Sequence, residues 1–433
     1  MRLTVLGLGY LGAAHAACMA ELGHDVLGLE VDSGRLAGLA RGQLPFYEPG
    51  LSELVNKQAE SGKLSLTDSY ERAADWSDVF FITVGTPQRM GENSADLGQV
   101  EAAIDSLVPL LKRDSVIFGK STVPVGTTRD LMRRAKRIAQ QVEVEIAWNP
   151  EFLREGHAID DTLHPDRIVL GRPPQGRCEA IAREIYAPIL AEGVPFIVTD
   201  TATAELVKVS ANAFLATKIS FINAIAEVCS AAGADVRTVA DAIGLDPRIG
   251  RRFLNPGLGF GGGCLPKDIR AFIARAGELG ASEALSFLRE VDRINMRQRT
   301  RVVDLTRRVC GGSLLGANVG VLGAAFKPHS DDVRDSPALN VAAQLQLQGA
   351  SVRVYDPKAM DNSRLVFPTL NYVDSVTAAC DQADVVLVLT EWDEFLDLDP
   401  RSLGEVVRLR NVIDGRMCLN FAKWKDADWQ YWT

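Results

Sequence analysis

The sequence is poor in the residues that mark several common classes of protein. It has seven cysteines among 433 residues, scattered and without a CxxC pair, and only five histidines. Disulfide-rich secreted domains and zinc sites need closely spaced cysteines or histidines. The sequence therefore predicts neither a disulfide framework nor a metal site, and its cysteine usage is typical of a protein in a reducing cytoplasm.

The sequence also lacks an excess of positive charge and an unbroken apolar run. Its 47 lysines and arginines are outnumbered by 56 aspartates and glutamates, so the net charge is −9, whereas a nucleic acid partner favours a basic protein. The one long apolar stretch, residues 3–20, is interrupted by three glycines and His15. It predicts neither a signal peptide nor a membrane span. We expect a cytoplasmic protein that binds neither nucleic acid nor a membrane.

Glycine, by contrast, is concentrated between residues 257 and 263, where five glycines fall within seven positions. Such density implies positive φ angles or a close approach of the backbone to another group. The run leads into Cys264, and Lys267 and Asp268 follow. A nearby ammonium favours the thiolate, which is the nucleophilic form of cysteine. From these residues alone, the alternative is a flexible loop followed by a buried structural cysteine.

The N-terminal residues have the pattern of a dinucleotide-binding unit. Residues 2–6 predict a buried strand, residues 13–22 a helix and residues 25–30 a second strand. The glycine turn between the first strand and the helix allows a pyrophosphate to approach the helix N-terminus. The cofactor-binding residues predicted in this turn are Gly7, Gly9, Tyr10, Leu11 and Gly12.

Two charged residues near the end of the second strand bear on the choice of cofactor. Glu30 is placed where an acid hydrogen-bonds the ribose hydroxyls of NAD. Its carboxylate would repel the 2′-phosphate of NADP, so NAD is favoured. Arg35 is expected to lie along the adenosine, and a solvated surface charge is the alternative.

Polar residues follow three further predicted strands. Thr86 and Thr122 come after two of them, and Glu151 and Glu155 come after the third, residues 142–148. Ligands of an open parallel sheet bind beyond the carboxyl ends of its strands. The two threonines could therefore meet the nicotinamide half of the cofactor or a catalytic water, or they could cap the next helices. The two acids could equally belong to a solvated helix start.

Residues 204–232 contain neither proline nor glycine. They predict a helix of about 40 Å, which is long enough to link two domains. Lys208 and Asn212 are four residues apart and share one face of that helix. They could stabilise an oxyanion, or they could form only a polar seam. Three arginines between residues 248 and 252 then supply local positive charge before the glycine run, and residues 267–309 predict further helical structure.

The last third of the chain returns to alternating strands and helices. Its first turn carries Lys327 in place of a glycine fingerprint, which suits a phosphate that is bound by charge. We predict an α/β fold with two Rossmann-like doubly wound domains joined by a central long-helix domain. The predicted domains are an NAD-binding domain at 1–200, a central helical domain for dimerisation and the Cys264 loop at 201–310, and a second nucleotide-binding domain at 311–433.

The ordered motifs of the chain resemble those of the UDP-glucose/GDP-mannose dehydrogenase family over nearly its whole length. They are GLGYLG at the N-terminus, VGTP at 84–87, STVPVG at 121–126, NPEFLREG at 149–156, the segment 208–218, GFGGGCLPKD at 259–268, AFKPHSDDVRDSP at 325–337 and DGR at 414–416. The resemblance implies an NAD-dependent, four-electron oxidation of a nucleotide sugar at C6 by a homodimer or larger homo-oligomer. The Arg-Ile-Gly run at 248–250 is similar to that of the UDP-glucose type, which converts UDP-glucose to UDP-glucuronate.

The resemblance also implies roles for individual residues. Cys264 would be the nucleophile that forms a thiohemiacetal and then a thioester, and the other catalytic residues would be Lys208, Asn212, Asp268, Glu151 and Thr122. Cofactor binding would add Glu30, Arg35, Thr86, Thr122, Glu155, Lys267 and Arg334 to the glycine turn. The substrate would be bound by Glu151, Phe152, Leu153, Lys208, Asn212, Arg248, Phe260, Gly261, Lys327 and Arg416, with Arg248 or a neighbouring arginine reaching across a dimer.

The sequence departs from the family pattern at two positions, and three alternative functions stay open. Glu30 replaces the more usual Asp, and Gly263 replaces the common Ser before the cysteine. The same chemistry could act on dTDP-glucose or GDP-mannose. A two-electron hydroxyacid dehydrogenase would explain neither Cys264 nor the third domain, and a redox-sensing NAD-binding protein would use Cys264 without catalysis.

Overall fold

The computed structural model describes residues 1–139 and 141–433, and these residues form two units. The first unit comprises Met1–Ala211 and Arg270–Gly280, and the second comprises Asn212–Ile269 and Ala281–Thr433. Two helices contribute residues to both units, so the division does not coincide with the ends of helices. The three-domain division expected from the sequence stays a prediction.

The first unit is built on an eight-stranded sheet in the order β3-β2-β1-β4-β5-β6-β7-β8, in which only the pair β6 and β7 is antiparallel. The strands are β1 (Arg2–Leu6), β2 (Asp25–Leu29), β3 (Leu64–Thr67), β4 (Val79–Ile82), β5 (Ser115–Gly119), β6 (Val144–Trp148), β7 (Ile168–Gly171) and β8 (Phe196–Thr199). The chain order reverses between β1 and β4, which is the switch point where doubly wound sheets bind their ligands.

Both faces of this sheet are covered by helices, because successive side chains of its strands point to opposite faces and are apolar on both. Leu3 and Val5 pack in one apolar cluster, whereas Leu6 packs in a second cluster. The helices are α1 (Tyr10–Glu21), α2 (Ser33–Ala40), α3 (Leu51–Glu60), α4 (Tyr70–Trp76), α5 (Gly98–Leu107), α6 (Thr127–Ile138), α7 (Ala158–Leu163), α8 (Cys178–Ile185) and α9 (Ala187–Ala191), with a short 3₁₀ helix at Val108–Leu110.

Four helices follow in the middle of the chain: α10 (Thr201–Ala232), α11 (Val236–Gly244), α12 (Leu265–Glu278) and α13 (Ser286–Val309). The helix expected at 204–232 is therefore present as α10 and begins three residues earlier. Within residues 1–139 and 141–433, α10 is the one helix long and apolar enough to cross a membrane by length and composition, and a third of that apolar window is buried in the protein. The helical region expected at 267–309 is two helices, which are separated around Gly280.

The second unit contains a six-stranded, all-parallel sheet in the order β11-β10-β9-β12-β13-β14. Its strands are β9 (Asn318–Leu322), β10 (Ser351–Tyr355), β11 (Asn371–Tyr372), β12 (Val385–Val388), β13 (Asn411–Asp414) and β14 (Gln430–Trp432). Its remaining helices are α14 (Pro337–Leu347), α15 (Met360–Val366), α16 (Val376–Cys380), α17 (Asp393–Leu396), α18 (Pro400–Leu403) and α19 (Phe421–Lys425). The strand order repeats that of the first six strands of the other sheet.

The expected fold class, two Rossmann-like α/β sheets with a long helix between them in the chain, is confirmed. Three strands were not predicted from the sequence: β3, β11 and β14, which are four, two and three residues long and lie at the edges of their sheets. Strands β11 and β14 contain too few side chains for an alternating pattern to be recognised.

Candidate active site

The glycine turn after β1 is closely packed at two glycines and open at the third. Gly7 has a φ of +89°, and its amide donates to the carbonyl of Leu29. A Cβ on Gly12 would overlap the Gly7 carbonyl and lie 2.6 Å from the hydroxyl of Thr83. A Cβ on Gly9 would meet nothing within 4 Å. The space in front of Gly9, at the start of α1, therefore fits the pyrophosphate of a dinucleotide.

Glu30 is held rigidly just beyond β2. It is 3% exposed, and its carboxylate accepts hydrogen bonds from the amides of Leu8 and Asp32, both at 3.0 Å. Arg35 donates to the same carboxylate at 3.1 Å, so it forms an ion pair and is not an isolated surface charge. A cavity of 380 Å³ lies beside the pair, lined by Arg35 and neighbouring residues of the 32–45 segment. These residues fit the adenosine half of NAD.

Tyr10 is tied to a carboxylate that the sequence analysis did not single out. Its hydroxyl donates to Glu48, which is 4% exposed. The Glu48 carboxylate also accepts from the amides of Gly156 and Ala158 at 2.6 and 2.7 Å. Burial raises the pKa of Tyr10, and the charges of Glu48 and Glu155 raise it further. Glu48 therefore links the glycine turn to the 149–156 loop.

The two threonines predicted at the strand ends connect neighbouring loops. The hydroxyl of Thr86 donates to the backbone carbonyl of Thr122 at 2.8 Å. The next helices, α5 and α6, begin only at Gly98 and Thr127, and neither threonine caps them. The helix-capping alternative is therefore wrong for both residues, whereas their role toward the cofactor stays a prediction.

Glu151 and Lys208 form a buried ion pair in the first unit. The Lys208 ammonium lies 3.0 Å from one carboxylate oxygen of Glu151, and the other oxygen accepts from the amide of Leu153 at 2.7 Å. The ammonium also lies 5.6 Å from the ring centroid of Phe152. The next helix begins only at Ala158, so the interpretation of Glu151 as part of a solvated helix start is wrong.

Lys120, directly after β5, is a buried cation to which the sequence analysis gave no role. Its ammonium donates to Asn149 at 3.0 Å and lies 3.4 Å from the hydroxyl of Tyr186, which itself donates to Asn149 at 2.6 Å. Burial lowers the pKa of Lys120 to about 8, and the charge of Glu151 opposes that shift. A lowered pKa is expected for a buried lysine without a carboxylate in direct contact.

In the second unit, Asn212 and Lys267 hold the two oxygens of one carboxylate. The amide nitrogen of Asn212 donates to Asp268 at 2.7 Å, and the ammonium of Lys267 donates to it at 2.6 Å. Asp268 is buried, and its own amide donates to the carbonyl of Cys264. Lys208 and Asn212 are thus each bound to an acid, and the oxyanion role expected for them stays a prediction.

Cys264 lies immediately before the first turn of α12 and is the exposed one of the seven cysteines. The N-terminus of a helix favours the thiolate of a cysteine that lies there. Burial raises the pKa of Cys18 and Cys380 to about 12. The alternative of a buried structural cysteine at position 264 is therefore wrong, and Cys264 has the environment of a nucleophile.

The glycine run before Cys264 is closely packed, because atoms of other segments occupy the positions of the missing side chains. A Cβ on Gly262 would lie 2.8 Å from the ring of Phe326, and one on Gly263 would overlap the guanidinium of Arg334. Gly257, Gly259 and Gly262 also have φ angles of +152°, +91° and +82°. The flexible-loop alternative is wrong.

Several backbone amides of this run are already engaged by the protein. Phe260 donates to Asn295 at 2.8 Å, Gly262 to the carbonyl of Arg334 at 2.8 Å and Gly263 to Asp332 at 3.2 Å. Despite its composition, the run is not arranged as a cradle for a phosphate at these amides.

The structure brings some of the predicted substrate residues together. The guanidinium of Arg416 donates to the carbonyls of Gly259, Phe326 and Leu389 at 2.8–2.9 Å, so it joins the glycine run to the segment that carries Lys327. Arg248 lies elsewhere, in the loop after α11. Its side chain is 88% exposed and forms an ion pair with Asp246.

The second sheet has an acid in the place that Glu30 occupies in the first. Asp356, directly after β10, is 1% exposed and accepts from the amides of Ala324 and Ala325 at 2.8 and 3.0 Å. The indole of Trp392 donates to the same oxygen at 3.1 Å. The turn after β9 therefore uses its amides within the protein and does not present them to a pyrophosphate.

The structure shows no metal centre: within residues 1–139 and 141–433, no group of three or more His, Cys, Asp or Glu side chains is arranged to hold a metal ion.

Comparison with known proteins decides the family. Three domain models of the UDP-glucose/GDP-mannose dehydrogenase family match the chain: the NAD-binding domain at residues 1–190, the central domain at 202–297 and the UDP-binding domain at 320–421. The chain belongs to this family. The resemblance inferred from the motifs is thereby confirmed, as is NAD as the cofactor.

Members of the family cover the whole chain at substantial identity. A UDP-glucose 6-dehydrogenase of Rhizobium meliloti is 40% identical over 417 residues, 96% of this chain and 95% of that protein. The UDP-glucose 6-dehydrogenase AglM of Haloferax volcanii is 43% identical over 427 residues, 96% of each. The structure of a UDP-glucose dehydrogenase from Pyrobaculum islandicum superposes with a TM-score of 0.91 at 40% identity and covers 100% of this chain and 97% of that one.

A second solved structure marks the breadth of the family. The UDP-D-ManNAc dehydrogenase of Pyrococcus horikoshii has a TM-score of 0.86 at 27% identity, over 100% of this chain and 98% of that one. Family membership makes the chain a soluble NAD-dependent dehydrogenase with a UDP-binding domain. The apolar helix α10 falls almost wholly within the matched central domain.

Proposed function

We propose that the chain oxidises UDP-glucose at C6 to UDP-glucuronate in two successive NAD-dependent steps in the cytoplasm. The observation that carries this proposal is the exposed Cys264 at the start of α12, beside the Asn212–Asp268–Lys267 cluster, in a chain that also has a dinucleotide-binding turn. A dehydrogenase without a nucleophile would stop at the aldehyde. The names of the relatives from Rhizobium meliloti and Haloferax volcanii support UDP-glucose as the substrate.

NAD, when bound, accepts one hydride in each oxidation. The turn at Gly7, Gly9 and Gly12 would hold its pyrophosphate, and Glu30 would accept hydrogen bonds from the ribose of its adenosine. The other residues that we assign to the cofactor are Tyr10, Leu11, Arg35, Thr86, Thr122, Glu155, Lys267 and Arg334.

In the first oxidation, the C6 hydroxyl loses a proton and a hydride and becomes an aldehyde. We assign the proton to Thr122 and Glu151, with Lys208 beside Glu151. The contact between Glu151 and Lys208 supports this assignment, because a carboxylate and an ammonium 3.0 Å apart can receive and stabilise the charge that moves with the proton.

In the second oxidation, the thiolate of Cys264 forms a bond to the aldehyde carbon and gives a thiohemiacetal. Loss of the hydroxyl proton and of a hydride from that carbon gives a thioester, and attack by water releases the carboxylate and restores the thiol. Asp268 would take the proton of the attacking water. Asn212 has a second N–H beyond the one donated to Asp268, and with Lys208 it would stabilise the oxyanion.

We assign substrate binding to residues of the 149–156 loop, the glycine run and the arginine-rich segments. Arg416 uses three of its five N–H groups on backbone carbonyls, which leaves donors for a phosphate oxygen. The full set is Glu151, Phe152, Leu153, Lys208, Asn212, Arg248, Phe260, Gly261, Lys327 and Arg416.

The same proposal includes a homodimer and three domains, at 1–200, 201–310 and 311–433. On α10, Phe214, Phe221 and Val228 recur every seven residues and are 66%, 50% and 63% exposed. A seven-residue repeat keeps these side chains on one face of the helix. An exposed apolar stripe of this kind is typical of a surface that a second copy covers. The matched family models support the domain boundaries.

The test is NADH production against UDP-glucose, dTDP-glucose, GDP-mannose and UDP-N-acetylmannosamine. We expect two NADH per UDP-glucose consumed and the fastest turnover with that substrate. One NADH per substrate would support a hydroxyacid-dehydrogenase type of reaction in its place. Cys264→Ser should abolish the second oxidation, and wild-type turnover to the acid in that variant would refute the thioester route.

A further inference from the structure

Helix α13 carries buried polar side chains that the proposed chemistry does not use, and two of them are Asn295 and Arg299. Asn295 and Arg299 lie four residues apart on the same face, and they are 1% and 2% exposed. Burial of an amide and a guanidinium destabilises a protein unless both are hydrogen-bonded. Their partners are therefore informative, and both partners belong to the surroundings of Cys264.

Asn295 binds both backbone groups of one residue in the glycine run. Its carbonyl oxygen accepts from the amide of Phe260 at 2.8 Å, and its amide nitrogen donates to the carbonyl of Phe260 at 3.0 Å. The same side chain fills the space in which a Cβ of Gly259 would lie. A single amide thus fixes the backbone four residues before Cys264 in both position and orientation.

Arg299 binds the segment on which the glycine run packs. Its guanidinium lies 2.9 Å from the carboxylate of Asp335 and donates to the Asp335 carbonyl at 3.3 Å. Asp335 has a φ of +46°, which a residue other than glycine rarely adopts and which the surroundings must enforce. The Asp335 carbonyl, together with Pro337, occupies the place of a Gly261 side chain.

We propose that Asn295 and Arg299 are positioning residues for Cys264. One turn of α13 holds the glycine run through Phe260 and holds the opposing segment through Asp335, so the thiol is presented in one geometry before substrate binds. Addition of a thiolate to an aldehyde depends steeply on the placement of the two reacting atoms. The inference rests on the proposed role of Cys264 as the nucleophile.

The experiment compares Asn295→Leu and Arg299→Met with Gln298→Leu as a matched control. Gln298 is on the same helix and is 7% exposed, but it donates to Glu227 and not to the glycine run. The readouts are the rate of Cys264 alkylation by iodoacetamide, the NADH formed per UDP-glucose and the aldehyde trapped by hydroxylamine. Arg299→Lys keeps the charge and one donor and should restore part of the loss. Asn295→Ser replaces Asn295→Leu if that variant does not fold.

We expect Asn295→Leu and Arg299→Met to slow the second oxidation by about tenfold or more, with trapped aldehyde and a stoichiometry that falls from two NADH toward one. The Cys264 alkylation rate should change in the same two variants. Gln298→Leu should lower the melting temperature yet keep both readouts at wild type. The inference is overturned if the Asn295 and Arg299 variants match Gln298→Leu in alkylation and stoichiometry.

A failure of the proposed function can be distinguished from a failure of the positioning role of Asn295 and Arg299. If the wild type does not form two NADH with any sugar in the panel, the proposed function fails, and a selective change in Cys264 alkylation still supports the positioning role. If the wild type forms two NADH and the variants behave as the control does, the positioning role alone is refuted.

Discussion

Two glycines of the run before Cys264 offer a matched test of its close packing. Gly261 and Gly263 both have φ angles outside the left-handed region, so an alanine at either position meets a steric contact and no backbone strain. What each new methyl group would meet is different. At Gly261 it would lie 2.6 Å from Pro337 and overlap the Asp335 carbonyl, which is backbone and is held by Arg299.

At Gly263 the new methyl group would overlap the guanidinium of Arg334. That side chain is 63% exposed and can swing away, with loss of its ion pair to Asp332. An exposed pair contributes about 0–1 kcal/mol. The lower entropy of alanine in the unfolded chain offsets this by about 0.4–1 kcal/mol. The net change for Gly263→Ala should therefore be close to zero.

Overpacking against fixed backbone, as in Gly261→Ala, costs about 1–3 kcal/mol. The same entropy effect of about 0.4–1 kcal/mol offsets part of that cost, so the net destabilisation should be centred on about 1 kcal/mol. The measurement is urea unfolding of both variants, followed by circular dichroism and extrapolated to water, with NADH production on the same samples. Gly261→Ala should unfold at a lower urea concentration and lose turnover. Equal stability of the two variants, or a larger loss in Gly263→Ala, would show that the Asp335 segment moves aside freely and would refute the reasoning.

Three further outcomes follow from other contacts. Because burial lowers the pKa of Lys120 to about 8, the unfolded chain binds more protons than the native one up to about pH 10.5. The unfolding free energy of the wild type, relative to Lys120→Met, should therefore rise by about 2 kcal/mol between about pH 7 and 9.5 in urea titrations, and a constant difference would contradict this. Phe221→Glu places a charge in the apolar stripe of α10 and should shift a dimer to monomers in analytical ultracentrifugation, whereas Leu365→Glu, another exposed apolar position, should not. Glu48→Gln weakens the link between Tyr10 and Gly156 and should raise the KM for NAD more than the KM for the sugar; equal changes in both would count against that link.

The fold was largely predictable because its main strands are apolar, end in glycine or polar turns and alternate with helical segments. The turn at residues 7–12 predicted the first βαβ unit, and α10 followed from an uninterrupted helical pattern. The break between α12 and α13 was missed because Gly280 is a single glycine within an otherwise helical stretch. The edge strands were missed because pairing with a neighbour, and not local pattern, makes them strands.

The site was predictable where its reactive residues lie close together in the sequence, as at Cys264, Lys267 and Asp268. Glu48 and Asn295 escaped notice because their roles depend on contacts 108 and 35 residues away in sequence. The glycine run was noticed, but the atoms that fill its missing side chains come from Asn295 and from the 326–337 segment. A dense run of glycines indicates that side chains would not fit at these positions, whereas only the tertiary structure shows which atoms lie there.

Asp356 accepts hydrogen bonds from two backbone amides of the turn after β9, and this bears on how the coenzyme is used in turnover. Because Asp356 accepts from the amides of the turn after β9, residues 1–139 and 141–433 provide one dinucleotide cradle, the turn after β1, for a reaction that delivers two hydrides. After the first oxidation, NADH must leave and NAD must bind while the sugar is still an aldehyde. A covalent tether prevents the reactive aldehyde from escaping during that exchange. Exchange of the coenzyme at the turn after β1 is thus a physical reason for the intermediate to be bound covalently to the sulfur of Cys264.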